Sequence, residues 1–275
     1  MMILLNQDEQ NNIEEIILAL TAKYNIECIY LNTYDHNTTP YELTILVSNK
    51  YLKTLGELVP KIVNTIREFE QYRVMCYIAF QAKDRIREGN LFLFTSCQPN
   101  KRIYPKEGSG FMPIPLDFDA VKLLKLAIEL SAREHQKIGE FRDGYYHFKE
   151  RNKYPMAAFL LHQTIELTYR YIELLLTAKE RITHSIRCHH RWTKELSSLY
   201  TTIFDEEKEE DTYLLQLLGN IYRATRYEDN FQVGFETLLQ LERKMEDLLA
   251  NATEIFNQTV LSFEQQHIFK VDAAV

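Results

Sequence analysis

A chain of 275 residues, 45% hydrophobic and 26% charged with 8 Gly and 7 Pro, is long enough for two domains with ordinary cores and leans towards helix. Its net charge of -7 and sequence pI near 5.7 argue against a generic nucleic-acid coat protein, while leaving room for a local basic surface. The start, MMILLNQDEQ, lacks a basic n-region, and no run of about 18 apolar residues exists, so neither a signal peptide nor a transmembrane helix is expected. Cys28, Cys76, Cys97 and Cys188 are scattered, without a CxxC pair or zinc-ligand spacing. They read as small core residues in a reducing compartment, which makes a cytoplasmic protein the expectation.

Along the chain, residues 8–24 carry helical periodicity, with Ile13, Ile16, Ile17 and Leu20 on one face. IECIYLN (26–32) and YELTILV (41–47) read as short buried strands separated by the polar turn TYDHNTTP. Helical spacing returns at 51–70, and YRVMCYIAF (72–80) reads as a third strand. The short helix AKDRIRE stops at Gly89–Asn90, and LFLFTSCQ followed by KRIY closes the unit. Helices alternating with strands predict a small α/β or α+β domain over 1–104. PKEGSGFMPIP (105–115), with three prolines and two glycines, marks a linker over 105–116.

Beyond the linker the pattern is helical, at about 117–151, 155–178, 184–203, 211–223 and 231–258. Breaks fall at Asn152–Pro155, near Thr183, in the acidic run DEEKEED (205–211) and at RYEDN (226–230). Five helices with short connections predict an up-and-down bundle over 117–260, followed by a tail at 261–275. Within the second helix, Leu160, Leu161, Ile165, Ile172, Leu175 and Leu176 form an apolar stripe. His162, Gln163, Glu166 and Arg170 lie on another side, within reach of one another at i,i+3 and i,i+4.

AAFLLHQTIELTYRYIELLL resembles the second helix of the HEPN domain family, with its small residues, His-Gln pair and Glu three positions on. Thr183–His184 resembles that family's Thr-His start of the next helix. Arg226–Tyr227 with Glu228 and Asp229 resembles its Arg-Tyr-Pro-Asp segment, with Glu228 where Pro is usual. The resemblance covers roughly 118–258 and implies a helical bundle that binds nucleotides and forms a homodimer through its helices. The first half resembles a minimal nucleotidyltransferase domain, a frequent companion of HEPN domains, in AKDRIREGNLFLFTSCQPNKRIY: a short helix, Gly-Asn, an aromatic helix and a final Ile-Tyr. The fold class so implied is α+β, a nucleotidyltransferase-like domain followed by a five-helix bundle. The transferase chemistry needs a Gly-Ser turn and two carboxylates one residue apart to hold Mg²⁺. Here the turn reads Asn32–Thr33, the carboxylate positions read Glu42 and Thr44, and VMCYIAF offers no third carboxylate. A domain that has lost nucleotidyl transfer is expected.

RNA-cutting HEPN domains resemble one another in an Arg followed four to six residues later by His. The match here is Arg142 to His147, in the first bundle helix; after Arg223 and Arg226 no His follows within reach, and Phe231 and Gln232 stand there instead. RITHSIRCHHRWTK (181–194) holds seven basic or imidazole residues and no carboxylate. His184, Arg187, Arg191 and Lys194 form one stripe with Trp192 at its edge, suited to phosphate contact with stacking. The competing reading is a solvated basic face paired with the acidic run at 205–211. The opposite face carries Ile186, His189, Thr193, Leu196 and Tyr200, and His189 is expected to be a satisfied core histidine. Glu166 and Arg226 are expected to meet, with Tyr227 nearby, because a bundle charge is expensive unless paired. The ligand-binding set is therefore His162, Glu166, His184, Arg187, Arg191, Arg226 and Tyr227, with no metal and no cofactor beyond a nucleotide as ligand. The expected function is non-catalytic binding of a nucleotide, another phosphorylated ligand or a partner. The alternative is a metal-independent ribonuclease, toxin-like, restrained by the fused first domain.

Overall fold

The computed structural model describes residues 6–33, 41–197, 202–228 and 230–269. Two compact units divide the chain, Met1–Leu126 and Ala127–Val275. The first is α+β and the second helical.

In the first unit, helix α1 (Gln7–Thr21) opens on a capping box in which Asn6 and Glu9 each accept from the other's backbone N–H. Strands β1 (Ile26–Thr33), β2 (Tyr41–Val47), β3 (Tyr72–Ile78) and β4 (Arg102–Pro105) form one sheet in the order β3-β2-β1-β4. β1 runs antiparallel to β2 and β4, whereas β2 and β3 are parallel. A parallel pair needs a crossover, and α2 (Leu55–Thr65) supplies it. β2 is buried from Glu42 to Val47, which is why its sequence reads as a near-continuous apolar run. Ile13, Ile16 and Leu20 of α1 join Leu58 and Ile62 of α2 against Ile29, Leu31, Leu43 and Ile45 in one core.

The expected third strand ends at Ile78 rather than at residue 80, because Ala79 already starts helix α3 (Ala79–Arg87). α3 stops where Gly89 takes φ 100, a left-handed conformation that glycine adopts without strain. Helix α4 (Leu91–Ser96) follows, capped by the Asn90 side chain on Leu93 N–H. Most of the polar turn after β1, residues 34–40, lies outside the described residues. The Pro/Gly-rich segment at 105–115 is not a free tether. Lys106 N–H donates to the Glu27 carbonyl at 2.9 Å, its Nζ reaches Asn25 and Glu27, and Ile114 is buried. The boundary between the units falls at Leu126–Ala127, inside helix α5 (Ala120–Glu150).

The second unit continues with α6 (Tyr154–Thr177), α7 (Ile186–Leu196), α8 (Glu209–Tyr227) and α9 (Phe235–His267). Asn152 at φ 56 turns α5 into α6, and Pro155 sits in the first turn of α6, where its missing N–H costs nothing. The acidic run reaches into the first turn of α8 as Glu209, Glu210 and Asp211, complementing the helix dipole. α8 runs through Arg226–Tyr227, where a break was expected. α9 extends past residue 258 to His267, since nothing in ATEIFNQTVLSFEQQH interrupts a helix. α7 is described to Leu196; the rest of the helix expected to 203, including Tyr200, falls largely on residues 198–201, outside the described set.

α6 is the central helix and packs on α7, α8 and α9. Its apolar positions Leu161, Ile165 and Ile172 are buried as the stripe requires, but so are His162, Thr164, Glu166, Thr168 and Glu173. The polar face is therefore turned into the bundle, and each of its groups needs a partner there. α5 and α9 are joined by Tyr145 and Lys149, both donating to Glu242, and by Tyr146 donating to Glu246 at 2.9 Å. Burial raises the Glu242 carboxyl, but the bonds from Lys149 and Tyr145 outweigh it and hold the group below its ordinary range. Among the described residues no helix is long and apolar enough to cross a membrane.

Candidate functional site

The polar face of α6 converges on one side chain at the start of α7. Glu166 is 3% exposed, and both its carboxylate oxygens face Nδ1 of His184, at 3.0 and 3.2 Å. Gln163 Nε2 lies 3.4 Å away and Arg170 3.8 Å away, so the buried charge is met from three directions. A carboxylate accepts only, which places a proton on His184 Nδ1. Nε2 is left without a bond among the described residues, on a side chain 54% exposed. Such an imidazole donates to an anion when protonated and takes up a proton when neutral.

The His184 ring lies on Tyr222 of α8, with centroids 4.0 Å apart and planes inclined by 15°. The Arg226 guanidinium sits 4.3 Å from the same ring centre, and Nη1 donates to the Tyr222 hydroxyl at 2.7 Å. Two groups that close to one ring centre cannot share a face, so Tyr222 is sandwiched between His184 and Arg226. Arg226 also lies over Phe159 of α6, 5.3 Å from the ring centre. The order across the site is Glu166, His184, Tyr222, Arg226.

Below the surface, His162 is fully buried, its Nε2 donating to the His184 carbonyl at 3.2 Å and its Nδ1 accepting from Gln163 at 3.0 Å. Burial pushes its imidazole down from 6.5 to about 4, against the raising effect of the carbonyl bond, so His162 is neutral. Further down, Glu173 and His189 are both fully buried, with Oε1 2.6 Å from Nδ1. Glu173 Oε2 also accepts from Arg181 N–H at 2.7 Å, and His189 Nε2 donates to the Thr183 carbonyl at 3.0 Å. His189 is thus a satisfied core histidine.

Neutral burial gives a pH dependence with a fixed sign. An unfolded histidine binds a proton near 6.5 while His162 resists until about 4, so protons favour the unfolded chain across that window. Stability is expected to fall by up to about 3 kcal/mol as pH drops from 6.5 towards 4. His190, pushed down by burial too, adds in the same direction. Urea denaturation followed by Trp192 fluorescence at pH 7.5 and 5 should show a smaller loss in His162→Gln than in the parent. An unchanged loss would remove His162 as the cause.

The expected contact between Glu166 and Arg226 is not made. It rested on Arg226 being buried, but Arg226 is exposed and needs no buried counter-charge; Tyr222 and His184 stand between the two. Tyr227, one residue on, is 77% exposed and takes no part in the sandwich. Arg187 and Arg191 are turned to the acidic run, with Glu206 3.8 Å and 2.9 Å away. The Arg191 hydrogen bond holds the Glu206 carboxyl below its ordinary range, so this part of the stripe is internally paired. Arg142 and His147 do not converge: five residues apart on a helix, they point about 140° apart. Arg142 faces Glu246 at 3.8 Å and His147 Nδ1 meets Arg151 at 3.1 Å. Trp192 is covered by the Arg181 guanidinium, 4.3 Å from its ring centre. Cys188 is exposed, unlike the three buried cysteines. Tyr222 and Phe159 went unnoticed in the sequence, although Tyr222 stands one helical turn before Arg226.

In the first unit the polar positions form a closed cluster. Glu42 is fully buried and receives two bonds from Arg73, at 2.7 and 3.1 Å to Oε2, from the adjacent position on β3. Thr44 Oγ1 lies 3.4 Å from the other oxygen, Asn32 Nδ2 bonds Thr44 at 3.2 Å, and Lys101 Nζ donates to Asn32 at 2.9 Å. The Glu42 carboxylate thus meets a guanidinium. Among the described residues no group of three His, Cys, Asp or Glu side chains is placed to hold a metal. A pocket of about 420 Å³ also lies in this unit, lined by Ile86, Phe94, Phe118 and Leu123 with Arg87 and Lys122, and none of the candidate residues lines it.

The helices that meet at His184 lie within a stretch that comparison by sequence assigns to a known domain family. Residues 140–262 match the HEPN domain. The match starts within α5, ends within α9 and takes in every residue of the His184 site. No curated protein matches the chain at a significant level. The family resemblance over Glu166, Thr183–His184 and Arg226 thus falls inside the matched HEPN region.

Proposed function

We propose that the HEPN region binds a phosphorylated ligand, a nucleotide in the first instance, at His184 and Arg226. The observation that carries this reading is an exposed imidazole held at Nδ1 by a buried carboxylate, one aromatic ring away from an exposed guanidinium. His184 and Arg226 supply two donors for phosphate oxygens, and Phe159 with the outer face of the guanidinium gives a surface for a base. Arg187 and Arg191, already paired with Glu206, are secondary contacts at most in this reading. The homodimer implied by the family resemblance would place a second such site on the partner copy.

The first unit, in this reading, is nucleotidyltransferase-like without transferase activity. Its single carboxylate at the metal position is bonded by Arg73, and phosphoryl chemistry of that kind needs a metal clamp.

Thermal shift with ATP tests the binding site. At ten times Kd, ATP is expected to add about 1.4 kcal/mol of stability. Arg226→Ala should abolish the gain while RNA incubated with the protein stays intact; a gain that survives Arg226→Ala would sink the assignment. One observation favours a second reading, a metal-independent ribonuclease. The histidine missing after Arg226 in the sequence is supplied by the loop before α7, where His184 lies one aromatic ring away from Arg226 with its Nδ1 held by Glu166. Cleavage of RNA in EDTA, lost on His184→Ala and kept in His147→Ala, would establish that reading in place of simple binding.

A further inference from the structure

The loop between α6 and α7 carries His184 at its end, and buried side chains hold it at consecutive points. Glu173 takes the Arg181 N–H, His189 takes the Thr183 carbonyl and His162 takes the His184 carbonyl. All three side chains are fully buried. Ala178 starts the loop at φ 53, a left-handed conformation unfavourable for alanine. Three buried polar groups spent on one short loop are costly to a core, which would be satisfied by apolar residues at those positions. Their shared product is the placement of one exposed imidazole.

We propose that His162 is a positioning residue for His184. Its Nε2–H···O=C bond fixes the His184 backbone at the height where the ring can bond Glu166 through Nδ1 and lie on Tyr222 at the same time. Gln163 completes the device: its amide donates to His162 Nδ1, which leaves the His162 proton on Nε2, and it lies 3.4 Å from Glu166. The His-Gln pair followed by Glu on α6 thereby acts on one residue of the next helix by two routes, backbone and ring. This rests on the reading of His184 as the ligand contact only for its purpose. The positioning itself is a property of the unliganded chain.

His184 is met by Glu166 from α6, Tyr222 from α8 and the His162 ring at its carbonyl; behind these stand Gln163 and Arg170 on Glu166, and Arg226 on Tyr222. Nuclear magnetic resonance of the ¹⁵N-histidine-labelled full chain reads His184 directly, with no ligand present. In the parent, His184 should show the Nδ1–H tautomer and ring protons shifted upfield by Tyr222. His162→Phe keeps an apolar ring and loses the donor; the upfield shift should collapse and the tautomer should revert towards the mixture of a free imidazole. His162→Gln restores a donor near the Nε2 position and should recover both signatures. Thr164→Val, which removes a buried hydroxyl bonded within α6, is the control for general loosening and should leave His184 unchanged.

In parallel, inorganic phosphate titrated onto each protein should bind about tenfold more weakly to His162→Phe than to the parent, and near parental strength to His162→Gln. A folded His162→Phe with unaltered His184 signals would overturn the proposal. Should that variant fail to fold, His162→Gln decides: parental signatures support the proposal, and their loss despite a retained donor rejects it. No phosphate binding by the parent, with the His184 signatures moving as expected, would reject the ligand reading and leave the positioning intact.

Discussion

Glu173→Ala is expected to destabilise the second unit by about 3–5 kcal/mol, which is among the largest effects any single side chain in this unit can have. The Glu173 carboxylate has no water to fall back on, and it serves two donors at once, His189 Nδ1 and Arg181 N–H. The pair holds one proton between Nδ1 and Oε1, so removing the carboxylate leaves the imidazole with a carbonyl at Nε2 and nothing at Nδ1. Arg181 N–H is orphaned in the same step. Glu173→Gln keeps the shape and one hydrogen bond, and should cost about 1–2 kcal/mol. Trp192 is the only tryptophan and lies on α7, so urea denaturation followed by its fluorescence reports this unit. Glu134→Ala, which removes a partly solvated partner of Lys137, should shift the transition by less than about 1 kcal/mol. A Glu173→Ala loss as small as the control's would mean that the buried pair does not hold the loop.

That loop also shows what the sequence could and could not disclose. Periodicity and punctuation located the elements: the i,i+3,i+4 spacing of Ile13, Ile16 and Leu20, the glycine after α3, Pro155 at the head of α6. These are local signals, readable without knowing what lies opposite. The polar face of α6 was readable too, as residues on one side of a helix. Its meaning was not, because His162, Glu166 and Glu173 are buried, and a buried polar group demands partners whose identity depends on how α7 and α8 are phased against it. His184 was recognised by its Thr-His context, but its bond to Glu166 spans 18 residues and a change of helix. The pairing of Glu166 with Arg226 failed for the same reason. It assumed that two charges on facing helices must be buried together, whereas Arg226 reaches the surface across Tyr222. For the basic stripe of α7 the sequence left two readings open, phosphate contact and pairing with the acidic run, and the structure pairs Arg187 and Arg191 with Glu206.

The first unit offers the second large effect. Arg73→Ala is expected to cost about 3–5 kcal/mol in that unit, because it strips the guanidinium from a buried carboxylate. Glu42 and Arg73 occupy paired positions on neighbouring parallel strands, so the two side chains share one face of the sheet, and the bond is made without leaving the strands. Lys101 does not take over. Burial lowers its ammonium below the ordinary lysine range despite the raising influence of Glu42, and its Nζ is committed to Asn32. Hydrogen exchange of the β1–β3 amides should accelerate in Arg73→Ala while the Trp192 transition of the second unit stays where it was. Added Mg²⁺ should not restore protection, since Glu42 with Thr44 and Asn32 provides one charge where a transferase site holds at least two. The double variant Glu42→Leu/Arg73→Met separates the two explanations for this pair. If the pair is a closed structural contact, apolar side chains of similar volume should recover most of the protection lost by the single variant. If instead Glu42 retains a duty towards a cation, Mg²⁺ should protect Arg73→Ala and leave the double variant unchanged. The two guanidinium bonds to Glu42 favour the first outcome: a carboxylate already met by a fixed cation has no need of a mobile one.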